Sequence, residues 1–152
     1  ALLGRVRRLH ELQVAARQSP RNARVMAELG HLLLLLNHED EGRRYAELAI
    51  ALDPDNSERA CERGRLDIAV LTIKRDADLA VERLQRWLSE YGRSENRVEA
   101  TFYLAVALVA ADRTADALKV LAPFERAKKG TPESDSEWGA RARRLIKELR
   151  MQ

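Results

Sequence analysis

The chain has 152 residues, and its 27 Lys and Arg nearly balance 24 Asp and Glu, so a sequence that is 34% charged carries a net charge of only +3. That length and charge density predict one soluble domain with a heavily charged surface and a core large enough to need neither disulfide nor metal. Seven glycines, four prolines and one cysteine among abundant Ala, Leu, Arg and Glu exclude all-β and collagen-like folds, and any internal disulfide. The longest apolar run, residues 102–111, has ten residues, against the roughly 20 that a membrane helix needs, so no membrane span is expected. The start, Ala1-Leu2-Leu3-Gly4, lacks Met and turns basic at Arg5, Arg7 and Arg8, the reverse of a signal peptide's order. The expectation is a domain taken from a longer chain, cytoplasmic in preference to periplasmic.

In chain order, residues 1–18 predict a helix with Leu2, Val6, Leu9 and Ala16 on one face and Leu12 beside them. Over 22–36, Val25, Met26, Leu29, Leu32, Leu33 and Leu36 recur at helical spacing. Residues 37–40, Asn-His-Glu-Asp, read as a turn. A second helix over 41–52 is expected to bury Tyr45, Leu48, Ala49 and Leu52 and to stop before Asp53-Pro54, since proline cannot continue it.

This hairpin recurs. Pro20 and Pro54, Ala15 and Ala49, and Gly30 and Gly64 each lie 34 residues apart, which makes 23–56 a repeat unit preceded by a half repeat over 1–20. Gly42 follows Gly30 by 12 positions, whereas Ala80 follows Gly64 by 16, so an extra helical turn is expected within 57–92. In 95–129, Leu104-Ala105, Leu108, Ala117 and Leu121 restore the offset of 12. Residues 128–132 form a break. Ser134-Asp135-Ser136-Glu137 then reads as a capping box opening a terminal helix over 134–150, with a polar back that suits a cap. The expected total is about eight helices, arranged as a half repeat, three pairs and a cap.

The pattern resembles the tetratricopeptide repeat (TPR), whose 34-residue unit carries a large apolar residue, Leu-Gly, an aromatic, small residues and a closing proline. Met26, Leu29, Gly30, Leu33, Gly42, Ala46 and Pro54 stand at those places, with Met26, Leu33 and Ala46 where the family usually has aromatics. The resemblance implies an all-α, right-handed helical-hairpin solenoid. It also implies binding of another protein, with the first helix of each pair lining the concave surface.

Other chemistry finds few residues to stand on. His10, His31 and His38 lack metal-ligand spacing. The carboxylates Glu39-Asp40-Glu41, Asp76 and Asp78 sit at helix starts, where they complement the helix dipole. Cys61 has neither a CxxC partner nor an adjacent His base and reads as a small buried residue. No phosphate loop or nucleophile elbow occurs. The basic residues of the end helices lack interleaved aromatics, which argues against nucleic acid. No enzyme activity, cofactor or small-molecule substrate is expected.

The runs 32–36 and 102–110 are apolar all round and must be covered on every side. Under the resemblance, residues off the core stripe become groove candidates: Arg24, Ala27, His31, Leu34 and Leu35 in the first pair, and Cys61, Arg65, Ile68 and Thr72 in the second. The third pair adds Glu99, Phe102, Val106 and Val109. Packing against neighbouring helices is the competing role for Leu34, Leu35 and Phe102. Ala27 and His31 stand where the family's carboxylate clamp has Lys and Asn, which argues against an acidic C-terminal tail as ligand. The expected function is a scaffold that takes a partner peptide or helix in a largely apolar groove, with Arg24 and Arg65 orienting an acidic flank. The alternative is self-association, or positioning of a neighbouring catalytic domain.

Overall fold

Short polar side chains cap three of the helix starts, and left-handed residues close two of the hairpins. The computed structural model describes residues 1–152, all helix and connection: α1 Leu2–Gln18, α2 Ala23–Leu35, α3 Glu39–Leu52, α4 Ala60–Thr72, α5 Ala77–Glu90, α6 Arg97–Ala110, α7 Thr114–Glu125, α8 Pro132–Asp135 and α9 Glu137–Arg150. Asn22 caps α2 by accepting from the Val25 amide at 3.2 Å, and Asp76 caps α5 by accepting from the Leu79 amide at 3.1 Å. Glu39, Asp40 and Glu41 fill the first turn of α3. None of the helices is long and apolar enough to cross a membrane.

Two features of the C-terminal end differ from expectation. Ser134 and Asp135 belong to the short α8, which raises the count from about eight helices to nine. The cap of α9 is Ser136, whose hydroxyl accepts from the Gly139 amide at 3.1 Å, rather than a box opened by Ser134. Pro132 at the head of α8 starts a turn earlier than the capping pattern alone would indicate.

The chain divides into two units, Ala1–Leu71 and Thr72–Gln152. In the first, α2 packs against α1 and α3. Its core joins Leu12 and Ala16 of α1 to Met26, Leu29, Leu32 and Leu33 of α2 and Ala49 of α3. Each fully buried Leu among them contributes about 1.5–3 kcal/mol. α2 and α3 approach until backbones nearly touch. A Cβ on Gly30 would lie 3.0 Å from both the Ala46 amide nitrogen and the Gly42 carbonyl oxygen, and one on Gly42 would lie 2.7 Å from a methyl of Leu34. The face of α3 is rotated from the expected one: Gly42, Ala46 and Ala49 are buried, Tyr45 and Leu52 half-buried, and Leu48 is 38% exposed. Only small residues fit where α3 meets α2.

In the second unit, α5 packs on α6, α6 on α7, and α9 on both α7 and α6. Leu84 and Trp87 of α5, Leu104, Ala105 and Leu108 of α6, Ala117, Leu121 and Phe124 of α7, and Ala142 and Ile146 of α9 are buried.

The α2–α3 and α6–α7 hairpins close with one design. Asn37 and Asp112 are left-handed, with φ of 65° and 58°. The following residue reaches back, His38 to the Leu33 carbonyl and Arg113 to the Leu108 carbonyl, both at 2.8 Å. This is the Schellman arrangement, which satisfies helix-end carbonyls. The turns lie 75 residues apart, the same interval as Gly30 to Ala105 and Gly42 to Ala117.

Gly64 departs from that scheme. Its missing Cβ would lie 2.6 Å from the Ala46 carbonyl oxygen and 3.0 Å from the Ile50 side chain, on the preceding helix α3, whereas Gly30 faces the helix that follows it. Gly64 therefore does not occupy Gly30's place. The connection before α4 runs over the seven residues 53–59, compared with four before α2, so most of the added length precedes α4 instead of following Gly64.

Candidate interaction face

The residues of α2 turned away from its core are Arg24, Glu28, His31 and Leu35, spaced three to four positions apart as one helical stripe requires. Polar links hold this stripe on both sides. Towards α1, Arg8 pairs with Glu28 and with Glu11. Towards α4, Arg24 Nε meets Glu58 Oε2 at 2.7 Å, and His31 Nδ1 lies 3.0 Å from Asp67 Oδ1. The first contact is to the loop that precedes α4 and the second is to α4 itself.

Asp67 is the centre of the second link. Its side chain is 5% exposed, and Oδ1 also accepts from Arg63 at 2.7 Å, one turn earlier on α4. Oδ2 is buried without a hydrogen-bond partner. A carboxylate so enclosed depends on its donors, because removing a charge from water costs several kcal/mol unless partners replace the hydration. His31 is 33% exposed, so its ring joins the buried pair to the surface.

α4 is positioned from its N-terminal end by the loop 53–59. The Asp53 carboxylate accepts from the amides of Glu58 (3.1 Å), Ala60 (2.9 Å) and Cys61 (3.2 Å) and from the Ser57 hydroxyl (3.4 Å). Asn56 accepts from the Glu62 amide at 2.9 Å and donates to the Glu62 carboxylate at 3.1 Å. Helix N-terminal amides have no partners within the helix, and here two loop residues supply them. Burial pushes the Asp53 carboxyl up, but the Glu58, Cys61 and Ala60 amides and the Ser57 hydroxyl outweigh it and hold it below the usual aspartate value. Left-handed Asn56 and Arg59 let the loop fold back.

The remaining sequence candidates distribute as follows. Ala27 is buried in the core of the first unit, and Leu34 turns toward Gly42, so neither forms the outer stripe. Leu35 is exposed at 46%. Cys61 is buried, Ile68 half-buried and Arg65 exposed. Arg24 is 71% exposed and pairs with Glu58 at the surface. In the second unit, Thr72 accepts from Arg83 at 3.1 Å and Glu99 is buried. Val106 and Val109 are half-buried, as is Phe102, which packs on Tyr103 and Trp138 with ring centroids 5.3 and 5.7 Å away. Arg141 covers the Trp138 ring at 4.7 Å.

His31–Asp67 could not be found from spacing, because Asp67 reads as an ordinary solvated charge until α4 is placed beside α2. The Asp53 network left a visible trace: Asp and Asn flanking a proline, seven and four residues before α4. No family model matches this chain, and no curated protein or solved structure matches it.

Proposed function

We propose that this chain is a non-catalytic protein-binding domain built from helical hairpins of the tetratricopeptide type, and that the outer face of α2 with the adjoining face of α4 receives a segment of a partner protein. The observation that carries this reading is the repeated hairpin, with its Schellman turns 75 residues apart. The His31–Asp67 link between α2 and α4 is consistent with it, since like helices of successive hairpins stand side by side in stacked helical repeats. Leu35 and Ile68 supply apolar area on that face, and the ion pairs beside them form a polar border, the usual division of a protein-binding surface.

The test is affinity capture with the wild-type protein and with a Leu35→Asp, Ile68→Asp variant of unchanged helix content. Loss of a saturable partner from the variant alone is expected, with little dependence of wild-type binding on salt. Equal capture by both proteins contradicts the reading.

Self-association is the second reading, favoured by Leu2, Leu3 and Val6 of α1, which are 68%, 72% and 50% exposed. Light scattering across a concentration series separates the two: a mass that stays monomeric removes self-association.

A further inference from the structure

We propose that the outer face of α1 adsorbs to an anionic lipid surface, with Leu2, Leu3 and Val6 entering the headgroup boundary and Arg5, Arg7 and Arg17 meeting lipid phosphates. This goes beyond the protein-binding reading and does not depend on it.

At 3.6 residues per turn, Leu2, Val6, His10, Gln13 and Arg17 fall on one stripe of α1, with Leu3 along its edge. The core takes a different side of the helix: Leu12 and Ala16 are buried and Leu9 is half-buried. Leu2, Leu3 and Val6 are 68%, 72% and 50% exposed. Three aliphatic side chains gathered in the first two turns and left in water gain by moving into the boundary between headgroups and acyl chains.

The charges around the stripe have one sign. α1 carries Arg5, Arg7, Arg8, His10, Glu11 and Arg17, and α2, the helix packed on it, adds Arg24, Glu28 and His31. The two carboxylates, Glu11 and Glu28, both pair with Arg8, on the far side of Arg7 from the stripe. Arg24 pairs with Glu58, and His31 with Asp67. Arg5 and Arg7, which flank the stripe, and Arg17, which ends it, are exposed and form no ion pair. Arg17 is also the one charged residue lining the groove between α1 and α3. The stripe thus presents aliphatic side chains and guanidinium groups with no carboxylate among them, and its complement is an anionic surface.

A second copy of the chain fits poorly, because two α1 stripes laid together oppose guanidinium groups with no acid between them. The stripe also has no aromatic side chain of the kind that anchors protein interfaces. At a lipid surface, Arg stems lie along the apolar boundary while their heads reach phosphates, so basic and aliphatic residues can share the same two turns.

Cosedimentation of the intact chain with lipid vesicles tests this. Vesicles of equal parts phosphatidylglycerol and phosphatidylcholine should bind it, and pure phosphatidylcholine vesicles at least about tenfold more weakly. The double variant Arg5→Gln, Arg7→Gln should weaken binding about 25-fold, about fivefold for each charge. The triple variant Leu2→Ser, Leu3→Ser, Val6→Ser should weaken it about tenfold or more. All five positions are exposed, so the helix content of both variants should match the wild type. Arg144→Gln, Lys147→Gln removes the same charge from exposed positions of α9 and should leave binding unchanged. An equal loss from the α9 pair, unchanged binding by the α1 variants, or no vesicle binding at all overturns the proposal. So does release of the chain from vesicles by an amphipathic Leu–Glu peptide that the α1 variants fail to bind, which assigns the stripe to an acidic protein segment. Dimerisation without vesicles that the triple variant abolishes assigns it to a second copy and overturns the lipid site as well. Each of these results leaves the α2–α4 face to be decided by the Leu35 and Ile68 variant.

Discussion

The α2–α3 and α6–α7 hairpins share a turn and differ in what fills them. At the closest approach the first has Gly30 and Gly42, and the second has Ala105 and Ala117 at the same interval, both fully buried. Leu34, which overlies Gly42, has Val109 as its counterpart. At the Gly42 position a methylene has moved from the side chain above to the backbone position below, which conserves volume there, while Ala105 in place of Gly30 adds a methyl that this exchange does not offset. The difference extends to the units. The first unit has the buried or half-buried polar groups Asp53, Glu62 and the Arg63–Asp67–His31 link, and the second, besides buried Thr72 and Glu99, joins Phe102 and Tyr103 of α6 to Trp138 of α9 in an aromatic cluster. One backbone design therefore tolerates two kinds of interior, and only in the first unit does the outer stripe combine ion pairs with an exposed leucine.

The largest effect should come from the charged interior. Asp67→Ala leaves Arg63 facing a buried void and should lower unfolding free energy by about 3–5 kcal/mol, measured by denaturant titration. Replacing Arg63 and Asp67 together by Met and Leu should recover most of it. If Asp67→Ala costs no more than a surface change, the first unit does not depend on its polar link.

Asp53 comes next. Asp53→Ala strips donors from the start of α4 and should cost about 2–3 kcal/mol, since each buried amide left without an acceptor is expensive. The pH dependence has a definite sign. Because the folded carboxyl titrates below its unfolded value, its contribution is complete above the unfolded value, about pH 4, and is lost as pH falls through the folded one. Asp53→Asn should flatten the acid limb of a stability–pH curve; an unchanged limb would assign that limb to other carboxylates.

Gly42→Ala tests the exchange of volume directly. The new methyl meets Leu34 at 2.7 Å and the Gly30 carbonyl oxygen at 3.0 Å and should cost about 1–3 kcal/mol, and adding Leu34→Val, the pairing of the second hairpin, should restore the part due to Leu34. At Gly30 the obstacles include the Ala46 and Gly42 backbones, so Gly30→Ala should resist rescue by Leu34→Val. Equal rescue at both sites would break the proposed correspondence.

The smallest effect concerns Phe102. As a half-buried member of the aromatic cluster it should cost about 1–2 kcal/mol of stability when truncated to Ala. Unchanged melting with lost partner binding would instead make Phe102 a ligand contact.

Much of the helical framework is readable from the residues, and the missing parts have particular causes. Spacing of Val25, Met26, Leu29, Leu32 and Leu33 was enough to locate α2, and Asp76 was recognisable as a cap. Periodicity gives a helix face only to within about one residue, which is why Leu48 was expected inside and is exposed while Leu34 turns to Gly42. Small residues mark close approach without saying to which neighbour, so Gly64 matched Gly30 by interval and yet faces the preceding helix. The connection 53–59 carries Asp53 and Asn56 as turn formers, but its effect on the register of α4 depends on three-dimensional closure. Of the site, Leu35 and His31 were visible as off-stripe residues, whereas the partner that orients His31 lies 36 residues away and has no local signature.

The most direct test of the functional reading is photocrosslinking from matched exposed leucines on opposite sides of the first hairpin. A photoreactive residue at Leu35 of α2 should yield a discrete, saturable crosslinked product with the binding partner, while the same residue at Leu48 of α3 should yield none. A product from Leu48 alone, or equal products from both, would contradict the assignment of partner binding to the α2–α4 face.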